Sequence, residues 1–426
     1  MANTIKIGNI EASAVMIGNS AVSAVYIGSS KIYPSGGTVD YSKQYLTFEV
    51  VDGGNITITA SNADVTKTIQ YSTDNGSTWT SLTTSTTAQE LGGALSVGDK
   101  VLVKGTNTAY GTSSYYNSFG GTAKVNVYGN IMSLISGDSF ANSKTLTDSY
   151  TFYRLFYSHT NLLSAEKLIL PATTLTSHCY YGMFRGCTSL VTAPTLPATE
   201  LAQYCYSGMF NGCTGLVTAP ELPATTLASN CYREMFNDCT SLVNAPVLPA
   251  TTLAKSCYYG MFKGCTSLVT APTLPATTLA NFCYSNMFQY CTNLVNAPEL
   301  PATTLADYCY EGMFYGCTSL TSAPELPATT LAERCYEYMF YGCTSLVTAP
   351  ELPATTLTTD CYQYMFNGCS LLNYIKAMFT TTPGTDYTFD WVRGVASSGI
   401  FVKNSEATWN VTGINGVPTG WTVVTE

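Results

Sequence analysis

Leu248-Pro249-Ala250-Thr251-Thr252-Leu253, then Cys257-Tyr258-Tyr259-Gly260-Met261-Phe262-Lys263-Gly264-Cys265, then Thr266-Ser267-Leu268-Val269-Thr270-Ala271-Pro272: this block returns every 26 residues without a slip. One set of cysteines falls at Cys179, Cys205, Cys231, Cys257, Cys283, Cys309, Cys335 and Cys361. A second falls at Cys187, Cys213, Cys239, Cys265, Cys291, Cys317, Cys343 and Cys369. Together they are all 16 cysteines of the chain, so the repeat, rather than any other part of the protein, accounts for cysteine usage. A degenerate copy comes before them, with Leu155-Phe156 in the Met-Phe slot and Thr151 and His159 in the cysteine slots. A terminal repeat with no neighbour on one side is expected to diverge in this way.

Within a copy, Leu253, Cys257, Tyr258, Met261, Phe262 and Cys265 stand at i, i+4, i+5, i+8, i+9 and i+12. This spacing predicts a short helix with one apolar stripe. The following Pro-rich segment, 268–275, predicts a short extended strand and turn with Leu268, Ala271 and Leu274 inward. One copy cannot bury its stripe alone, whereas stacked copies bury it continuously. Residues 145–376 therefore predict an α/β repeat solenoid, nine coils at the strand spacing of ~4.8 Å making a rod of roughly 40 Å.

Working outward, residues 1–35 carry a ten-residue period, Ile7-Gly8-Asn9, Ile17-Gly18-Asn19 and Ile27-Gly28-Ser29. It predicts a β-meander of about four strands, too small for much stability of its own and so expected to dock on something. Residues 38–128 alternate in strand fashion around the turn Asp74-Asn75-Gly76. They predict a β-sandwich of immunoglobulin-like size acting as a spacer. Residues 377–426, with Trp391, Trp409 and Trp421, are expected to cap the open end of the stack.

Composition narrows the function classes. A formal charge of -9 argues against nucleic acid, which needs a basic footprint. No apolar run reaches the length that crosses a bilayer, and the N-terminus does not read as a signal peptide. No phosphate loop, nucleophile elbow or H-E-x-x-H motif occurs, so neither an enzyme nor a cofactor is expected. Glu221, Glu299, Glu325 and Glu351 share one slot; a column of like charges reads as a solvated face rather than an acid/base pair. The cysteines allow disulfides, metal ligands or a buried reduced ladder. Parallel Cβ vectors suit a disulfide poorly, and zinc prefers shorter loops and more histidine than His159 and His178 provide. The reduced ladder is the favoured reading and no metal is expected.

What differs between copies is confined to three windows, beginning at Ser177, Tyr181 and Arg185 and recurring with the period. All three fall on the polar side of the expected helix and so on one surface. Tyr204, Arg233, Lys255, Phe282, Tyr308, Tyr315, Arg334 and Tyr341 are the candidate contact residues there, since aromatic side chains and arginine carry most binding energy in interfaces. Drift on an unimportant face is the competing reading.

The run Met261-Phe262-Lys263-Gly264-Cys265-Thr266-Ser267-Leu268 resembles the Met-Phe-x-x-Cys-x-x-Leu signature of BspA-type leucine-rich repeats, and the other cysteine-bearing copies match it with small changes such as Ser370. The resemblance spans residues 146–376 and implies a binding or adhesion scaffold of the outer surface. The flanks are similar to virion-associated proteins of gut-anaerobe phages, on Ser30-Lys31-Ile32-Tyr33-Pro34, on Tyr71 to Trp79 and on Gly416 to Val423. Together they imply a phage tail-fibre or head-fibre appendage, folded in the host cytoplasm and released by lysis. Its N-terminal module would hold other virion proteins, and its repeats, in several copies per particle, would bind a host-surface protein or glycan. A bacterial surface adhesin, and a virion decoration or spacer without a receptor, are the alternatives.

Overall fold

The computed structural model describes residues 39–426 throughout and, of the first 38, only the backbone of four short strands. These are β1 (Thr4–Ile7) with β2 (Ile10–Ser13), and β3 (Val25–Ile27) with β4 (Ser30–Tyr33), two antiparallel hairpins. The Gly18-Asn19 turn and the virion-docking role expected of 1–35 lie outside the described residues.

The next region is built of β5 (Leu46–Asp52), β6 (Ile56–Ala60), β7 (Thr68–Ser72), β8 (Thr80–Thr83), β9 (Gln89–Glu90), β10 (Lys100–Gly105), β11 (Asn117–Gly121) and β12 (Lys124–Asn130). One antiparallel group runs β12-β5-β10-β7-β8 and a smaller one runs β11-β6-β9. Their facing apolar residues, among them Phe48, Ile58, Val101, Val103, Phe119 and Val127, are fully buried. The Asp74-Asn75-Gly76 turn joins β7 to β8, with Asn75 at φ 58° and Gly76 at φ 87°. Asp74 holds it by accepting from the Thr78 amide at 2.9 Å and the Thr78 hydroxyl at 2.7 Å. Those donors bring its pKa down to about 2. After the single helical turn α1 (Ser133–Ser136), β13 (Leu162–Ile169) pairs parallel with β12. The first repeat coil thus extends the larger sheet, and one apolar core runs without interruption from Leu46 to Trp421. Arg154 reinforces this joint, its guanidinium 5.1–5.9 Å from the rings of Tyr116, Tyr153, Tyr157 and Tyr181.

The repeats stack, but they contain no helix; this corrects the α/β expectation. In the coil around Phe262 the odd-numbered amides close tight turns, Cys257 to Ala254 O, Met261 to Tyr258 O and Cys265 to Phe262 O. The even-numbered amides leave the coil: Tyr258 donates to Cys283 O, Gly260 to Ser285 O and Phe262 to Met287 O, at 2.9–3.1 Å. An α-helix would spend every amide on its own chain. Here half of them bind the next coil, so the turns form a ladder as a sheet does. The geometry repeats every four residues, with a left-handed residue at each step: Ser256, Gly260 and Gly264 have φ of 52°, 56° and 73°. The apolar pattern Cys257, Tyr258, Met261, Phe262, Cys265 suits a period of four. Over eight residues a helix drifts from that period by only about 80°, and so the two are hard to separate by apolar spacing.

The inner side chains land where the spacing places them. Leu253, Cys257, Tyr258, Met261, Phe262 and Cys265 are all buried, as are Leu268 and Leu274, with Ala271 half-buried. The phenylalanines form one column, Phe156 through Phe366, with ring centroids 5.3–5.8 Å apart and planes within 10°. The tyrosines from Tyr180 to Tyr362 form a second, at 5.6–6.0 Å. The extended segment contributes single parallel bridges between residues 26 apart, Thr192 to Thr218 to Asn244 to Thr270 to Asn296 to Ser322. Residues 377–426 carry the stack further: β14 (Tyr374–Ala377), β15 (Ile400–Lys403) and β16 (Thr422–Thr425) pair in parallel. Trp391 is fully buried, 6.3 Å from the Tyr362 ring and 6.1 Å from the Phe366 ring.

All 16 cysteines are free and buried. Each thiol of the second set donates to a phenylalanine carbonyl of the preceding coil, Cys265 Sγ to Phe236 O at 3.1 Å and Cys187 Sγ to Phe156 O at 3.0 Å. Burial pushes the thiols up, Cys205 and Cys369 to about 12, which leaves almost no thiolate to react. A thiol-reactive chromophore at pH 8 is expected to label none of the 16 within minutes in the native protein and all of them in guanidinium. Rapid labelling of the native chain would show that the coils open readily.

Candidate binding face

The left-handed positions and the residues between them make one ladder-like face running along the stack. All three variable windows lie on it. The face is less open than a helix surface would be, because adjacent coils press together: Ser207, Asn211, Ser285 and Glu337 within the windows are buried. Of the candidate residues, Lys255 is exposed and the other seven are half-buried.

The structure gathers four of these around one hollow of about 440 Å³: Tyr204, Arg233, Lys255 and Phe282, with Tyr259 beside them. Tyr204 stacks on His178 at 4.7 Å, and His178 on Tyr150 at 4.6 Å. Phe282 stacks on Tyr308 at 4.4 Å. Arg233 lies 3.9 Å from the centre of the Tyr259 ring and pairs with Glu234 at 3.2 Å. Lys255 makes no ion pair among the described residues.

Arg334 sits one coil beyond Tyr308, 5.6 Å from its ring, and is held by carboxylates. Asp360 is 3.0 Å from its guanidinium, Glu337 3.7 Å and Glu333 4.0 Å. Its charge is therefore largely answered within the chain. Glu337 is the unusual member of this cluster. It is 4% exposed, and its Oε2 has no hydrogen bond. Burial raises its pKa to about 7; the Arg334 cation opposes the rise, and Glu311 and Asp360 add to it.

Tyr315 and Tyr341 make a second patch, stacked at 4.5 Å. Tyr338 and Tyr364 stack beside them at 4.6 Å, and Tyr290 meets Tyr315 edge-on at 5.3 Å. Tyr290, Tyr338, Tyr364 and Tyr259 were not singled out by sequence, nor was Glu337. A signal was available: Tyr290, Tyr338 and Tyr364 occupy slots where sister coils carry Gly264, Gly260 or Gly312. Their φ values are 60°, 55° and 56°.

Elsewhere, grooves of about 430–510 Å³ recur between the proline ridges on another side of the stack, with Glu299, Glu325 and Glu351 their only charged groups. A polar hollow of about 300 Å³ at the joint with the sheets includes Lys100 and Glu49, which already pair at 3.5 Å. No helix among the described residues is long and apolar enough to cross a membrane.

Compared with known proteins, no curated protein matches the chain. The family model for the BspA type leucine rich repeat region matches it in six copies, over residues 153–295 and 281–392. These spans take in the turn ladder from Tyr153 onward, with both aromatic patches, and cover more than half of the 426 residues. The chain belongs to the BspA-type leucine-rich-repeat family.

Proposed function

We propose that this is a phage virion appendage of the tail-fibre or head-fibre kind, whose repeat solenoid presents the turn face to a protein or glycan of the host surface. The repeat family supports a surface or adhesion-type protein, and similarity of the flanks to virion proteins supports the particle. Sixteen buried, reduced thiols suit folding in a reducing cytoplasm. Binding, rather than catalysis, is the role, and several copies per particle add avidity.

The observation that carries the binding reading is the cost of the tyrosines. A left-handed backbone costs a side-chain-bearing residue roughly 1–2 kcal/mol that glycine avoids. Sister coils carry glycine or the polar Glu234, Asp238 and Asn286 in those slots; the clustering of bulky rings at Tyr290, Tyr338 and Tyr364 argues that the side chains are wanted. A bacterial surface adhesin of the same family is the second reading, favoured by family membership alone.

Mass spectrometry of purified particles and of uninfected cell envelopes, joined to an adsorption assay, tests this. The chain is expected in particles, and the purified full-length protein is expected to compete with virions for host cells. Its presence only in envelopes would leave the adhesin, and its presence in particles without competition would leave a decoration or spacer.

A further inference from the structure

The first left-handed slot of each coil forms a column: Tyr150, His178, Tyr204, Asn230, Ser256, Phe282, Tyr308, Arg334 and Asp360. Aromatic rings fill it on both sides of a two-coil gap at Asn230 and Ser256. Stacking of Tyr204 on His178 uses one face of the tyrosine and turns the other toward Asn230. Stacking of Phe282 on Tyr308 likewise turns its free face toward Ser256. Two ring faces therefore look at each other along the stack, three strand spacings or roughly 14 Å apart. This gap is the hollow of about 440 Å³, within the usual range for small-ligand sites.

The floor of the gap is polar. Asn230 and Ser256 are 7% and 5% exposed, and neither side chain has a hydrogen-bond partner among the described residues. Both line the hollow, and neither is sealed from it. An occupant that displaces water from these two side chains must supply hydrogen bonds in its place. A purely aromatic occupant would satisfy the two end faces and leave the floor unpaired. An occupant with apolar C–H faces and hydroxyls around its rim satisfies both. The rim also carries Lys255, whose ammonium makes no ion pair among the described residues, in a chain of net charge -9.

From this arrangement we infer that the gap is a saccharide site: it takes a compact oligosaccharide whose pyranose rings occupy the two missing rungs, packed against Tyr204 and Phe282. Asn230 and Ser256 hydrogen-bond its hydroxyls, and Lys255 favours a sugar bearing a carboxylate or sulfate. The inference rests on the turn face being the receptor-binding surface and specifies one site and one ligand class upon it.

The test applies full-length protein to an array of neutral, sialylated, sulfated and uronic-acid-bearing oligosaccharides, followed by calorimetry on the tightest binder. Asn230→Tyr/Ser256→Tyr fills the gap by continuing the column, and the fold tolerates it because Tyr204 and Tyr308 occupy the same slot in sister coils. The double variant is expected to lose binding about tenfold or more, as is Phe282→Ser, the order of a lost stacking contact. Val247→Ser, exposed in the proline-rich segment away from the turn face, should leave affinity unchanged. Lys255→Ala should narrow the preference for acidic over neutral glycans. Equal glycan affinity in the filled variant would overturn the inference. So would competition for host adsorption by a chain that binds no array glycan, an outcome that leaves the proposed function standing. Binding of aromatic peptides instead, abolished by filling the gap, would assign the site to a protein ligand and likewise overturn it.

Discussion

Phe262→Ala is expected to destabilise the stack by about 3–5 kcal/mol, the cost of a phenylalanine removed from a closed core. Phe262 is fully buried, with Phe236 and Phe288 each 5.7 Å away across parallel planes. Neither neighbour can move into the void, because each is fixed by the next ring in its column and by its own coil's amides: Phe236 donates to Met261 O and Phe288 to Met313 O, both at 2.9 Å. In repeat proteins stability is a sum of intrinsic and nearest-neighbour terms, so the damage should be local in origin and divisive in effect. Guanidinium unfolding followed by tyrosine fluorescence should shift to a lower midpoint, and hydrogen exchange should accelerate first in the coils on either side of residue 262. A single unfolding transition displaced by less than about 1 kcal/mol would mean that the columns relax, contrary to the close packing of protein interiors.

Stability should also fall as pH rises from about 5 to 8, and Glu337 should be the reason. Its pKa is raised from an ordinary 4.5 to about 7. Between those values the native state holds a proton that the unfolded chain has released, so unfolding becomes easier as pH increases through the window. The contribution is roughly 1–3 kcal/mol at pH 8. The groups that face Glu337 are Arg334, Glu311 and Asp360, and the cation is already engaged by Asp360 at 3.0 Å. Glu337→Gln retains the shape and cannot ionise. The variant is expected to match the wild type near pH 5 and to exceed it at pH 8, as read from urea midpoints at both values. Parallel decline of the two proteins would show that Glu337 does not bear the charge.

The position of this cluster bears on function. The sequence offers Arg334 as a candidate contact residue, and the structure surrounds it with Glu333, Glu337 and Asp360. Glu333 and Glu337 lie one and three residues away along the chain, whereas Asp360 lies 26 away and only the stacking of coils brings it within reach. Lys255, whose sequence neighbours include no carboxylate, makes no ion pair among the described residues. The candidate residues thus share a face as their spacing demands, while the pairing of Arg334 with Asp360 depends on the stacking of coils.

The period of 26 and the invariance of its apolar slots were enough to indicate a stack of repeats and its inward side chains, but not its extent, since β14 to β16 continue it past residue 376. A residue that must be buried against its own copies cannot vary without breaking the columns, so the core is written in the chain many times over. Local conformation was not. Apolar residues at i, i+1, i+4, i+5 and i+8 satisfy both a helix and a four-residue succession of turns, and glycine spacing was the sole hint of left-handed backbone. Competition for amide partners settles the matter: an isolated coil would gain by keeping its amides as a helix, but a coil with neighbours bonds outward with half of them and loses none. The same logic separates the two kinds of information about the face. Which side chains lie on it follows from the period. Which rings stack, which charges cancel and where a gap opens between Tyr204 and Phe282 depend on contacts between residues 26 or more apart, and these exist only in the folded protein.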